Sequence, residues 1–252
     1  MIYVSHLICD EDMKEFCCQY GTGVESIEFS ISDNLDQLER KIELYQKRLE
    51  QMGNPPLTLH GPFLDLNPAS FDSQIRKVTM ERFDQCYQAG IRLGAEKIVY
   101  HSGMIPMVYF REGWAEQTGR FFREFLKDRE GPEIVMENVL DEDWRLLLDV
   151  YRIVDHPKFK LCLDMGHAYC YSKVPVLEWA EKLAPCVGHV NIHDNAGNRD
   201  SHLGLGKGTL PWEKVLEVLP HTEERTWTIE CSNKEDVLLS IKQINEKTRG
   251  KL

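Results

Sequence analysis

The chain has 252 residues, 42% hydrophobic and 28% charged, with a formal net charge of −11. That balance belongs to a folded globular chain and excludes a disordered one, and its acidic field repels phosphate backbones at long range, so nucleic acid is not an expected partner. The N-terminus, MIYVSHLICDEDMK, has no basic start or long apolar stretch, so neither a signal peptide nor a membrane span is expected, and the eight cysteines, with no CxxC pair, read as reduced thiols of a cytoplasmic protein.

Eight short β-branched or apolar runs follow one another along the chain: IYVSHL (2–7), VESIEF (24–29), LTLHG (57–61), KIVYH (97–101), EIVMEN (133–138), KLCLD (160–164), VGHVNIH (187–193) and TWTIEC (226–231). Helix-period segments separate them. The clearest carries Leu35, Leu38, Ile42, Tyr45, Leu49 and Met52, with Gly53 as its expected stop. Another runs from Phe71 to Leu93 and ends at Gly94; weaker ones cover 10–20, 114–128, 141–155, 175–184, 211–219 and 234–247. Pro175 and Pro211 sit where a first helical turn tolerates proline. Eight such units in about 250 residues match an α/β fold of the (β/α)8 TIM-barrel type, read here as one domain over 1–252. Apolar runs suit strands buried on both faces. A doubly wound open sheet is the alternative, although no GxGxxG follows the first run.

In such a barrel the active site lies at the C-terminal ends of the strands. Ionisable residues gather there: Glu28, His60, His101, Glu137, Asp164, His193 and Glu230, while strand middles are Val, Ile and Leu. Glu137 and Glu230 each end an apolar run, where a carboxylate needs a cation or a charged partner. Asp164 and His167 form a DxxH step, and Asp200 and His202 a DxH step; both spacings can serve a divalent metal. A loop Asp is also a common turn former. His60 and His101 each precede a glycine and point to the same mouth. The GLGKG segment (204–208) is either a loose phosphate loop, with Lys207 as its charge, or a tight connection. Glu28 and Lys207 are the candidates for substrate contact. Tyr109, Phe110 and Trp114, after the fourth run, could line a pocket or a subunit contact.

HGPF, YHSG, MEN, LDMGHAY, HDNAGNRDSHLGLGKG and TIEC occur in an order that resembles the xylose isomerase-like TIM barrel superfamily, across nearly the whole chain. That resemblance implies a metal enzyme. Its isomerase-type members hold one divalent metal with Glu, Asp, His and Glu, here Glu137, Asp164, a strand-seven histidine and Glu230. Its endonuclease-type members hold three metals, adding His60, His101, His167, Asp200 and His202. Aligned on Asp194, the strand-seven histidine falls on Asn191; His193 has the same side-chain parity, so either residue is a candidate ligand.

Three functional readings follow. The first is a sugar or sugar-phosphate isomerase or epimerase with one Mn, Mg or Co, in which Glu137 and Glu230 pass a proton at a metal-bound substrate. The second is a phosphoesterase with up to three Zn, resembling the AP endonucleases. The third is a barrel that binds a small polar ligand without catalysis.

Overall fold

The computed structural model describes residues 1–249. Eight parallel strands close a barrel in chain order: β1 (Ile2–Ser5), β2 (Gly23–Ser26), β3 (Leu57–His60), β4 (Lys97–His101), β5 (Glu133–Glu137), β6 (Phe159–Asp164), β7 (Val187–Ile192) and β8 (Thr226–Ile229). β8 pairs with β1 through Trp227 opposite Ile2 and Thr228 opposite Tyr3. The helices are α1 (Asp10–Tyr20), α2 (Ser32–Leu35), α3 (Leu38–Gln51), α4 (Ser73–Leu93), α5 (Arg111–Leu126), α6 (Arg145–Val154), α7 (Met165–Tyr171), α8 (Val176–Leu183), α9 (Trp212–Val218) and α10 (Lys234–Arg249). The fold is a (β/α)8 TIM barrel. Among the described residues no helix is long and apolar enough to cross a membrane.

Alternation along each strand builds two environments. Val4, Val24, Leu59, Ile98, Ile134, Leu163, Val190 and Ile229 belong to the main core that the helices cover. The barrel lumen differs from the expectation of strands apolar on both faces. Val99, Val135 and Cys162 form a small separate apolar cluster. Beside it lies a buried polar group: Glu25 accepts hydrogen bonds from Thr58 and Thr228, each at 3.0 Å, and His189 Nε2 stands 3.2 Å from the same carboxylate. A carboxylate sealed from water persists only with partners of this kind.

The stops behave as their chemistry requires. α4 ends at Gly94, whose φ of +71° is the left-handed conformation that side chains resist. The segment read as one helix from Leu35 to Met52 is two, α2 and α3. β2 ends at Ser26, and Glu28 opens a short 3₁₀ turn (Glu28–Ser30) rather than ending a strand. α7 springs from β6 without a loop. Asp164 caps it, accepting the amide of His167 at 2.6 Å, so the DxxH spacing is also the spacing of a helix cap.

Candidate metal centre

At the C-terminal mouth the strand ends, the first turn of α7 and the loop after β7 gather nine ligand-type side chains: His60, His101, Glu137, Asp164, His167, His193, Asp200, His202 and Glu230. They form four overlapping groups, in each of which the ligand atoms lie within 4.8 Å of one another. The groups are His60, His101 and Glu137; Glu137, Asp164 and His167; Asp164, His193 and Glu230; and His167, His193, Asp200 and His202. Glu137, Asp164, His167 and His193 are shared between groups.

Three histidines are oriented by the main chain. Nδ1 of His60 lies 2.9 Å from Gly61 O, Nδ1 of His167 3.0 Å from Asn138 O, and Nδ1 of His202 2.9 Å from Glu230 O. A carbonyl oxygen can only accept, so each Nδ1 donates and the neutral ring leaves Nε2 with a free lone pair. Nε2 of His60 faces Nε2 of His101 at 3.2 Å, and each stands 3.5 Å from Glu137 Oε2. Nε2 of His167 and of His202 meet Asp200 Oδ2 at 3.2 and 3.1 Å. Nε2 of His193 is 3.1 Å from both oxygens of Asp164.

The donor set fits a cation. Glu137 Oε2, Asp200 Oδ1 and His193 Nδ1 are buried without a hydrogen-bond partner, which native interiors rarely tolerate. In the chain alone, charges compete. Burial, then the charges of Glu137 and Asp164, push the Glu230 carboxyl up to about 8. Burial opposes ionisation of Glu137, but His101, His167 and His60 outweigh it and hold Glu137 well below the ordinary range. Burial disfavours the charged form of His202, yet Asp200 and Glu230 raise it to about 9. Burial drives His101 down to about 3. Carboxylates and imidazoles packed this tightly could hold a metal ion.

Of the two strand-seven candidates, His193 belongs to two of the His/Asp/Glu groups, and Asn191 lies directly opposite Asp164. Asn191 pairs with Asp164 and Thr228 in the strand ladder, and its amide oxygen and nitrogen are both buried without a partner. His193 stands two residues further along, beyond the end of β7. After a register shift at Leu161/Cys162 the ladder sets Asn191 opposite Asp164, while the His193 ring reaches the Asp164 carboxylate from beyond the strand end.

Two other sequence candidates are engaged elsewhere. Glu28 binds Arg48 at 2.8 Å and Asn34 at 3.1 Å, within a network that includes Asp10 and His6. Lys207 pairs with Asp236. The GLGKG loop is a tight connection: Asp194 Oδ2 accepts from Gly206 and Gly208, both at 2.9 Å, and Oδ1 accepts from Asn195 at 2.8 Å and Leu210 at 3.1 Å. Those amides are consumed within the loop, and a Cβ on Gly208 would lie 2.3 Å from Asn195 O.

Above the groups opens a cavity of about 310 Å3, whose lining includes His60, His101, Glu137, His167, His202 and Glu230. Leu7, Ile27, Phe63 and Val139 line it as well. Sequence reasoning passed over these four; Phe63, in the HGPF segment, had a signal in its place three residues after a candidate histidine. It missed Asp141 too, which accepts from Ser102 at 2.7 Å and Val139 N at 3.0 Å and ties the loops after β4 and β5 together.

Uncharacterized protein MJ1311 of Methanocaldococcus jannaschii is 30% identical over 193 residues, which cover 69% of this chain and 64% of that protein. The chain thus matches somewhat under two thirds of that relative's length. A crystal structure of a D-tagatose 3-epimerase-like protein superposes with a TM-score of 0.81 at 24% identity, covering 98% of this chain and 97% of the other. Endonuclease IV from Thermus thermophilus superposes with a TM-score of 0.70 at 17% identity, covering 99% of each. At these identities the two structures speak for the fold. The family model for the xylose isomerase-like TIM barrel matches residues 21–248, and the chain belongs to that family.

Proposed function

We propose that this chain is a divalent-metal hydrolase of phosphate esters whose centre holds up to three cations, with zinc the best match to its imidazole-rich donor set. The surplus of ligands carries this reading. Glu137, Asp164, His193 and Glu230 suffice for the one cation of an isomerase-type site. Five further side chains, His60, His101, His167, Asp200 and His202, nevertheless converge on the same mouth in groups that overlap the first. Bound cations would lower the pKa of water and offset the charge that develops on a phosphate ester. The chain's own part is positional. Backbone carbonyls of Gly61, Asn138 and Glu230 hold the three imidazoles in the ligating tautomer, and Glu137, shared between two groups, would draw neighbouring cations together. Leu7, Ile27, Phe63 and Val139 would set hydrocarbon beside the reacting groups.

The test is metal analysis of the reconstituted chain together with phosphate release from p-nitrophenyl phosphate and bis(p-nitrophenyl) phosphate. About three cations per chain, and hydrolysis that His202→Ala removes while the fold persists, are expected. A single cation and no phosphoester cleavage would refute it.

A second reading, a sugar or sugar-phosphate isomerase or epimerase, is favoured by one observation: Glu137 and Glu230 line the same cavity, as a proton-removing and proton-returning pair must. The likeness to a D-tagatose 3-epimerase-like protein is in keeping with it. Its signature is one Mn, Mg or Co per chain and solvent deuterium entering a sugar at the carbon beside its carbonyl.

A further inference from the structure

The cavity that the ligand groups line also has lining residues of a different chemistry. Leu7, Ile27, Phe63 and Val139 are apolar, and Ser5 and Ser30 are the uncharged polar side chains among the described lining residues. Among the described residues no lysine or arginine lines it. Arg48 and Lys41 of α3 and Arg111 at the start of α5 are engaged: Arg48 with Asp10 and Glu28, Lys41 with Glu28, and Arg111 with Asp143. Arg199, on the loop after β7, is exposed and outside the lining. Phe63 is held in place, its ring stacked on His101 at 4.3 Å and edge-on to His60 at 5.4 Å. A cavity of about 310 Å3 is at the small end for ligand sites.

Resting on the hydrolase reading, we infer that the site takes a compact substrate with one anionic group, held at the cation centre, and an uncharged remainder whose apolar face lies against Phe63, Ile27, Leu7 and Val139. A second anionic group on the same substrate would lie against hydrocarbon, stripped of water and without a counter-charge. A nucleic-acid strand, with a phosphate on each side of the one at the centre, meets the same penalty. A ring in place of a methyl group gains both apolar burial and contact with the Phe63 face.

The experiment uses the full chain loaded with zinc and three non-hydrolysable probes: methylphosphonate, phenylphosphonate and 1,4-phenylenebisphosphonate, measured by titration calorimetry. Phenylphosphonate is expected to bind roughly tenfold tighter than methylphosphonate, and the bisphosphonate more weakly than phenylphosphonate. Leu7→Asn, which replaces no ligand-type residue, and Phe63→Asn should each shrink the phenyl-to-methyl ratio, with bound zinc measured on every variant; if Phe63→Asn loses zinc, Leu7→Asn decides. Equal affinity for the methyl and phenyl probes overturns the inference and leaves the hydrolase reading standing. So does tightest binding of the bisphosphonate, above all if Arg199→Gln removes that advantage. Failure of all three to bind a fully loaded chain overturns the hydrolase reading itself.

Discussion

Gly166→Ala disturbs the ligand groups without touching a ligand-type side chain. A Cβ there would lie 2.0 Å from Cε1 of His193, 2.4 Å from Nδ1 and 2.6 Å from Nε2. The ring has little room to retreat. It is fully buried, it stacks on His202 with centroids 4.0 Å apart and planes 8° apart, and its Nε2 is 3.1 Å from each oxygen of Asp164. Gly166 lies inside α7, so alanine gains about 1 kcal/mol in helix propensity. Overpacking of a buried ring costs about 1–3 kcal/mol. The net loss of fold stability is therefore about 0–2 kcal/mol. Cation binding should suffer more, because His193 serves two groups, and misdirecting a ligand typically weakens a site by roughly 10–100-fold. Competition with a chromogenic chelator reads the affinity, and thermal melts with and without zinc read the coupling: the zinc-induced rise in Tm should be smaller in the variant. Wild-type zinc affinity together with a raised Tm would mean that the ring yields freely, and the packing argument would be wrong.

Other outcomes follow from the same geometry. Asp194→Asn leaves one acceptor oxygen for four backbone amides; a destabilisation of about 2–5 kcal/mol is expected from urea unfolding, with faster proteolysis within residues 203–210. Asp141 is fully buried, and burial lifts its carboxyl from 3.8 to about 6. For an acid raised on folding, the stabilising contribution is complete below pH about 4 and is lost as pH rises through about 6. The stability of the wild type relative to Asp141→Asn should therefore fall by about 3 kcal/mol between pH 4 and pH 7, and a difference flat with pH would refute the shift. Glu137→Gln retains the shape of a side chain shared by two groups but not its charge; mass spectrometry under native conditions should find at least one cation fewer per chain.

Much of the site was legible because a strand end is a local feature. An apolar run closed by a single ionisable residue marks both the strand and the direction of its mouth, and Glu137, Asp164 and Glu230 come together as that reasoning expects. Periodicity and glycine stops likewise mark α3 and α4. The less legible parts depend on partners distant in the chain. Glu28 looks like a strand-end carboxylate, but Arg48 and Asn34 hold it. GLGKG resembles a phosphate loop only until Asp194 is seen to take its amides. Phe63 and Leu7 carry no motif, and their role follows from the cavity that they share.

The order of eight strand–helix units, the position of the ionisable residues at one end and the family likeness are written in the linear chain, because each rests on neighbours a few residues apart. How Asn191 and His193 stand to Asp164 is not. Both have the parity to face inward, and only the pairing of β6 with β7 puts Asn191 opposite Asp164 and the His193 ring against its carboxylate. The same holds for the polar lumen around Glu25 and His189. Strand alternation allows such residues a place inside, but only closure of the barrel brings Thr58 and Thr228 close enough to satisfy that buried carboxylate.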